Sequence, residues 1–412
     1  MKKHKKIVMA CGDGTFNLGD EAISASFIEN YNKIKDNSKI ILFSSNPKKT
    51  YDMHKVKSIK MDLSIGGFIK GIIPTIKAFK NIDILVWGGG NLITDGPSLL
   101  FTPFHLLKII IAKAMNKKVI IYAVGVGPLH KRFTKILVKY CLNKVDKISV
   151  RDEWSKKQLE EIGVKNKIYC TTDPAFILGS SNKNNISKIL AKEGIDITEI
   201  KKKKEKLIGI APRRVFHRKS GGLLPIKWRV QLGLINKKDK LRFLKFKKDL
   251  ANAADEIIEK HNAKIVFIPM QSSSELKQDD HVLSKEIINM MKNKKRCKII
   301  KSDKYKLQEL KGIYGMMDLI LSIRCHALIL GSSMNVPVVS LAYSPKGKRF
   351  SKILGIEDYC LPVEEANNKN IFRLVNKALL NQNKIKKQLN KSIRIVKKAA
   401  EFNIELVNRM IK

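Results

Sequence analysis

The chain has 412 residues, 44% of them hydrophobic, and 81 Lys and Arg against 37 Asp and Glu give it a formal net charge of +44. That length exceeds what one hydrophobic core usually supports, so two domains are expected; no apolar run reaches the roughly 18 residues of a membrane span, and six scattered cysteines without a C-x-x-C pair fit a reducing compartment and supply no zinc site. So basic a balance predicts an anionic partner, but nucleic acid fits poorly, because aromatic residues are only 7% and are not interleaved with the basic runs as stacking platforms would be.

Lys5 to Ala10 reads as a first strand, left by the glycine-rich loop Gly12-Asp13-Gly14-Thr15-Phe16-Asn17-Leu18-Gly19-Asp20-Glu21, with Asp20 as the N-cap of a helix over Glu21–Tyr31. The spacing is neither GxGxxG nor a Walker loop, so no dinucleotide or ATP site follows, and the acidic residues suit sugar hydroxyls better than phosphate. Ile40 to Phe43 is a second strand, followed by a loop with Pro47. Asp83 to Trp87 and Val119 to Ala123 end in Gly88-Gly89-Gly90-Asn91 and Gly125-Val126-Gly127-Pro128, where bare backbone lets a ligand approach; three strands ending in glycine suggest one cleft lined by backbone. Lys147–Val150 ends in Arg151-Asp152 ahead of a helix to Ile162, and Ile168–Cys170 leads to Thr172-Asp173-Pro174. Leu106–Lys118 and Lys131–Lys144 interleave apolar and basic residues, a pattern shared by helices packed on a sheet and helices lying against anionic lipid headgroups.

From Gly179 to Lys206 the chain turns polar and lysine-rich, as a linker would. The second half restarts with the strand Lys206–Ile210, ending in Ala211-Pro212-Arg213-Arg214; the irregular, basic Val215–Lys240 reads as a loop or lid near the cleft. A helix from about Leu241 to His261 leads to the strand Lys264–Pro269, then to Met270-Gln271 and the polar run Ser272–Asp280 ahead of another helix. Cys297–Lys301 is a strand and Lys304–Met317 a helix. The stretch Leu319–Lys346 carries the chemistry. Its short apolar strand Leu319-Ile320-Leu321 runs into Arg324 and His326 where the helix Ala327–Met334 begins, and the strand Pro337–Ala342 runs into Tyr343-Ser344-Pro345-Lys346. In open α/β sheets ligands sit outside the carboxyl ends of strands, beside helix N–H groups that favour an anion. A helix-capping Arg and a satisfied core His need no ligand, but an Arg and a His two residues apart at a strand-to-helix turn tilt the reading toward function.

Strand–loop–helix alternation argues for parallel sheets with helices on both faces. The expected architecture is α/β and GT-B-like: two Rossmann-like doubly wound domains facing across a cleft, at 1–178 and 207–363, with a linker at 179–206 and C-terminal helices over 364–412.

These landmarks, in this order, resemble those of the polysaccharide pyruvyl transferase family, whose members add pyruvate from phosphoenolpyruvate to a sugar of a cell-surface glycan as a ketal. The matching pieces are Asn17-Leu18-Gly19-Asp20-Glu21-Ala22-Ile23, Gly88-Gly89-Gly90, Gly125-Val126-Gly127-Pro128, Val150-Arg151-Asp152 with Ser155, Asp173-Pro174, Gly209-Ile210-Ala211-Pro212-Arg213, Ile268-Pro269-Met270 and Arg324-Cys325-His326-Ala327, the last continuing into Val336-Pro337-Val338 and Tyr343-Ser344-Pro345-Lys346. Asp13, where an aromatic is commoner, and Asn91, where an apolar residue is usual, depart from the pattern and leave the acceptor open.

The resemblance implies phosphoenolpyruvate as co-substrate, with no cofactor beyond it, and a glycan or lipid-linked oligosaccharide as acceptor. Guanidinium groups suit a carboxylate and a phosphate, so Arg213, Arg214, Cys325 and Lys346 are expected at the donor, with Arg324 and His326 catalytic. An imidazole suits the proton transfers of ketal formation. Asn17, Gly19, Asp20, Gly88, Gly89, Gly90 and Gly125 are expected at the acceptor. No His and carboxylate set stands at metal-ligand spacing, so no metal is expected. The start Met1–Lys6 is followed by an apolar run, Ile7–Cys11, too short for a signal peptide. The expected location is cytoplasmic, peripheral on the inner face of the cell membrane, with an anionic membrane surface as a further candidate partner. The alternative is a GT-B glycosyltransferase in which Arg213 and Lys346 hold the diphosphate of a nucleotide sugar.

Overall fold

The computed structural model describes residues 6–10, 17–34, 38–60, 76–96, 98, 100–216, 236–271 and 279–411. The glycine-rich loop at 12–16, residues 217–235 of the expected lid and residues 272–278 of the polar run lie outside them. The chain separates into two units. One runs to Leu178 and takes in the end of the chain from Val396; the other holds the described residues from Gly179 to Ile395.

The first unit is built on seven strands, β1 (Lys6–Ala10), β2 (Lys39–Ser44), β3 (Lys57–Lys60), β4 (Ile84–Gly88), β5 (Lys118–Val124), β6 (Lys147–Val150) and β7 (Ile168–Cys170), in the order β3-β2-β1-β4-β5-β6-β7. Every neighbouring pair is parallel. A parallel sheet is covered on both faces, which is why β4 reads as the unbroken apolar run Ile84-Leu85-Val86-Trp87 and buries all of it. Leu106, Ile109 and Ala112 of the helix Phe101–Ala114 and Val138, Cys141 and Leu142 of the helix Arg132–Leu142 close one face of that core.

Three local expectations change here. Asn17, not Asp20, caps the first helix, Leu18–Asn32: its Oδ1 accepts from the Gly19 N–H at 3.2 Å, and Asp20 falls in the first turn. Where Pro47 suggested a loop there is a helix, Pro47–His54, because proline in a first turn lacks only an N–H that has no intrahelical partner anyway, and Asn46 caps it by accepting from Lys49 N–H. The edge strand β3, Lys57-Ser58-Ile59-Lys60, carries a single apolar residue and so gave no strand signal.

The second unit repeats the plan with six strands, β8 (Lys206–Ala211), β9 (Ala263–Phe267), β10 (Cys297–Ile299), β11 (Leu319–Ser322), β12 (Val338–Ala342) and β13 (Cys360–Pro362), in the order β10-β9-β8-β11-β12-β13, again all parallel. In each sheet the strand order reverses beside the first strand of the unit, between β1 and β4 and between β8 and β11. Ligands of open α/β sheets bind at such reversals, outside the carboxyl ends of the strands.

The stretch 179–206, read as a linker, is part of the second unit and holds two helices, Lys183–Lys192 and Ile197–Lys202, capped by Asn182 and Asp196. Its lysines cover the outside, while Ile186, Ile189, Leu190 and Ile200 are buried. The C-terminal helices are not a region apart either. Asn368–Leu380 buries Ile371, Val375 and Ala378 in the second unit, whereas Gln382–Ile411 begins there and ends in the first. In the first unit Asn403 of that helix is buried, its Oδ1 accepting from Ser149 Oγ at 2.7 Å and Thr171 Oγ1 at 2.9 Å and its Nδ2 donating to the Thr172 carbonyl at 3.2 Å. A satisfied buried amide of this kind fixes one seat for the last turns of the helix.

Candidate active site

Four strand ends of the second sheet meet at its reversal point. β8 runs out into Pro212-Arg213-Arg214, β9 into Ile268-Pro269-Met270-Gln271, β11 into Ile323-Arg324-Cys325-His326 and β12 into Tyr343-Ser344-Pro345-Lys346. Because parallel neighbours lie about 5 Å apart, Arg213, Arg324, Cys325, His326 and Lys346 share one edge. The turn after β11 is pinned by Ser322, whose Oγ donates to the Arg324 carbonyl at 2.6 Å.

Arg324 occupies the N-cap position of the helix Cys325–Ser333, but its side chain turns inward and is 95% buried. Its Nη2 meets Asp280 Oδ1 at 2.5 Å, its Nη1 donates to Gln271 Oε1 at 3.0 Å and its Nε to the Pro212 carbonyl at 3.3 Å. One guanidinium thus ties together the ends of β8, β9 and β11. Burial pushes the Asp280 carboxyl above the ordinary carboxylate range; Arg324, the Met270 N–H at 3.1 Å and Arg213 oppose that push. Beneath the pair, the fully buried Tyr314 hydroxyl has no hydrogen-bond partner among the described residues, and burial raises its pKa.

The remaining groups are nearer the surface. Arg213 is half-buried with its guanidinium carbon over the Tyr343 ring, 4.2 Å from the centroid, a cation–π contact that restrains the side chain. Cys325 and His326 are half-buried in the first turn of Cys325–Ser333, and Lys346 is half-buried in the first turn of the helix Pro345–Leu354. Neither helix has a side-chain N-cap bond, and neither carries an acid in its first turn. Two acid-free helix starts without a side-chain cap, set at one basic edge, favour an anion through the helix dipole. Arg214 does not join this group: it lies over the Phe243 ring and within 3.9 Å of Glu286, among the helices on that side.

In the first unit the residues expected at the acceptor separate into two kinds. Asn17 Nδ2 donates to Asp20 Oδ2 at 2.7 Å, and Asp20 Oδ1 approaches Gly90 so closely that a Cβ there would touch it at 3.8 Å, which brings Asn17, Asp20 and Gly90 together. Gly19 is buried in the helix turn. Gly88 has φ +143° and no room for a side chain, since a Cβ would stand 2.3 Å from the Tyr122 carbonyl, and Gly89 N–H donates to that carbonyl at 2.7 Å. Gly125 makes room for Arg151: a Cβ would lie 2.6 Å from its Nε and Nη2 and 2.8 Å from Asn91 Oδ1. Gly88, Gly89 and Gly125 therefore have packing reasons of their own. Here the helix starts are acidic and capped, Asp20 and Glu21 following Asn17, and Glu153 following Asp152. That is the opposite of the second unit's edge.

A model of the polysaccharide pyruvyl transferase family matches residues 17–345. The chain belongs to this family. Comparison with curated proteins returns no significant match. Among solved structures, S. aureus MnaA in complex with UDP is similar at a TM-score of 0.62 and 15% identity, over 99% of this chain and 96% of that one. A UDP-GlcNAc 2-epimerase from Methanocaldococcus jannaschii gives 0.61 and 14%, over 99% and 100%. One from Neisseria meningitidis bound to UDP-GlcNAc gives 0.60 and 13%, over 99% and 100%. At such identities the likeness is one of fold, two Rossmann-like units of the GT-B type.

Within this member of the polysaccharide pyruvyl transferase family, two buried ion pairs were not foreseen. Arg324–Asp280 is one; the other is Arg151–Asp173, at 2.9 Å with side chains 2% and 0% exposed. Arg151 and Asp173 were noticed as landmarks, and a buried Arg at the end of one strand calls for an acid at the end of the next. Gly125→Ala tests the packing around Arg151: it is expected to destabilise the first unit by about 1–3 kcal/mol, measured by hydrogen exchange of the β5 and β6 amides. Unchanged exchange would show that Arg151 can move aside.

Proposed function

We propose that this transferase moves the pyruvate unit of phosphoenolpyruvate onto a sugar of a cell-surface polysaccharide or its lipid-linked precursor, as a ketal, with release of phosphate. The observation that supports it most is the basic edge of the second unit, where two acid-free helix starts without a side-chain N-cap bond lie among Arg213, Arg324 and Lys346, with His326 in the first turn of one of them. Phosphoenolpyruvate carries a carboxylate and a phosphate on three carbons, so it needs two anion contacts close together. Arg213, restrained over the Tyr343 ring, supplies a bidentate fork. Lys346 supplies a point charge at the second helix start. Arg324, bound inward to Asp280 and Gln271, sets the turn that carries His326.

Ketal formation adds one sugar hydroxyl to C2 while C3 gains a proton to become the methyl group. Phosphate then leaves C2 with its bonding electron pair, and a second hydroxyl of the same sugar attacks C2 and gives up its proton. His326 is assigned the proton transfers, worth about 10²–10⁴-fold in rate. The acceptor is assigned to the first unit at Asn17, Asp20 and Gly90, where carboxylate and amide groups suit hydroxyls. The reaction is placed at the cytosolic face of the membrane.

Incubation with phosphoenolpyruvate and candidate lipid-linked sugars is expected to release phosphate and add a pyruvate-sized mass to the sugar. Thermal stabilisation by UDP-sugars but not by phosphoenolpyruvate, with no phosphate released, would overturn this reading in favour of a nucleotide-sugar enzyme.

A further inference from the structure

We infer that the outer face of the helix Arg132–Leu142 docks the protein on an anionic lipid bilayer. This deepens the proposed function and rests on it in one respect: a lipid-linked acceptor would be met at such a surface. Large apolar side chains usually turn inward from a helix lying on a sheet, and Val138 and Leu142 do so, with Thr134 and Cys141 buried beside them. Phe133, Ile136 and Tyr140 instead point outward, 66%, 58% and 54% exposed. Spaced i, i+3 and i+7, they form one stripe along the helix. Cations flank it. Arg132 and Lys139 are exposed on one side and Lys144 on the other, with the Lys144 ammonium 4.0 Å from the centre of the Tyr140 ring. Between Lys131 and Lys144 there are five basic residues and no acid. The adjacent helix Phe101–Ala114 exposes Ile110, and Leu100 just before it is 59% exposed.

An exposed stripe of two aromatic rings and an isoleucine needs a partner. Its chemistry favours lipid: aromatic and aliphatic groups enter the headgroup boundary while surrounding Lys and Arg meet anionic phosphates. A chain of net charge +44 strengthens that attraction. The helix is also rigidly placed. Asp95 Oδ2 accepts from the His130 and Lys131 N–H groups at 2.7 and 2.8 Å, holding the helix start beside the glycine edge, where Gly125 N–H donates to the Gly90 carbonyl at 2.8 Å. Among the described residues no helix is long and apolar enough to cross a membrane, and this mode of contact requires none.

The test is co-sedimentation of the full-length protein with vesicles of phosphatidylglycerol and phosphatidylcholine, against phosphatidylcholine alone. The variant Phe133→Ser/Ile136→Ser/Tyr140→Ser keeps the net charge and is expected to lower partitioning onto the mixed vesicles by about tenfold or more. Lys384→Gln/Lys387→Gln/Lys391→Gln, on exposed lysines of the last helix, is expected to lower it far less. Ile136→Trp should shift its emission to the blue on the same vesicles. Equal partitioning of the serine variant and the parent would overturn the inference, since charge alone would then recruit the protein. So would self-association of the parent, lost in the serine variant, without vesicle binding, which would assign the stripe to a second copy of the chain. Phosphate release with a water-soluble acceptor analogue is expected to be unchanged in the serine variant, so loss of docking and failure of the pyruvyl-transfer reading give different results.

Discussion

His326→Ala is expected to reduce turnover with phosphoenolpyruvate by about 10²–10⁴-fold while the fold and the donor affinity stay close to those of the parent. The separation follows from where the residue sits. His326 is half-buried in the first turn of the helix Cys325–Ser333, while the interior of that helix is filled by Ala327, Leu328, Ile329 and Leu330. Removing the imidazole therefore opens no core cavity. On the proposed reading donor affinity rests on Arg213, Lys346 and the backbone of the two helix starts, none of which is removed with the imidazole. Single-turnover phosphate release together with isothermal binding of phosphoenolpyruvate separates the two effects. Near-normal release would remove His326 from the chemistry and leave it a substrate contact at most. Parallel loss of binding and turnover would mean that the imidazole holds the donor rather than moving protons.

Asp280→Ala is expected to destabilise the second unit by about 3–5 kcal/mol, because it leaves the Arg324 guanidinium buried with its charge uncompensated. Asp280→Asn keeps an acceptor for Arg324 and should cost less. A double variant that also replaces Arg324 by Met removes the stranded charge and should recover part of the loss, since a buried pair is commonly replaceable by apolar groups where a half-pair is not. With two units in one chain, a single melting point is not a clean readout. Hydrogen exchange in β8 and β11 is: their amides should open at lower free energy in Asp280→Ala, while β4 and β5 of the first unit keep their protection. A loss under about 1 kcal/mol would show that the Arg324 site admits water or rearranges. Because Arg324 joins the loops after β8, β9 and β11, the same variant should also weaken phosphoenolpyruvate binding without any change to Arg213 or Lys346.

Much of this protein is written locally. The apolar runs of β1, β4, β5, β8, β9, β11 and β12 gave their strands because a strand covered on both faces cannot alternate. Glycine and charged residues at their ends marked the sheet edge to which the proposed function assigns its ligands, and the order of those landmarks marked the family. Edge strands β3 and β13 were missed, since a strand with one paired side needs few apolar residues. The helices at 183–192 and 197–202 passed for a linker because their outer faces are lysine-rich and their buried faces hold only a few isoleucines and leucines.

Sequence alone fixed the fold class, the family and the strand ends that bear Arg213, Arg324, His326 and Lys346, because each depends on residues close together in the chain. Partnership across long separations was decided only by tertiary structure. Nothing local says that Arg324 turns inward to an aspartate 44 residues earlier while Arg213 sits over Tyr343, that Gly125 is small on account of Arg151, or that Phe133, Ile136 and Tyr140 face out rather than in. A side chain's role is set by what surrounds it, and those surroundings come from strands and helices that the sheet order brings together from distant parts of the sequence.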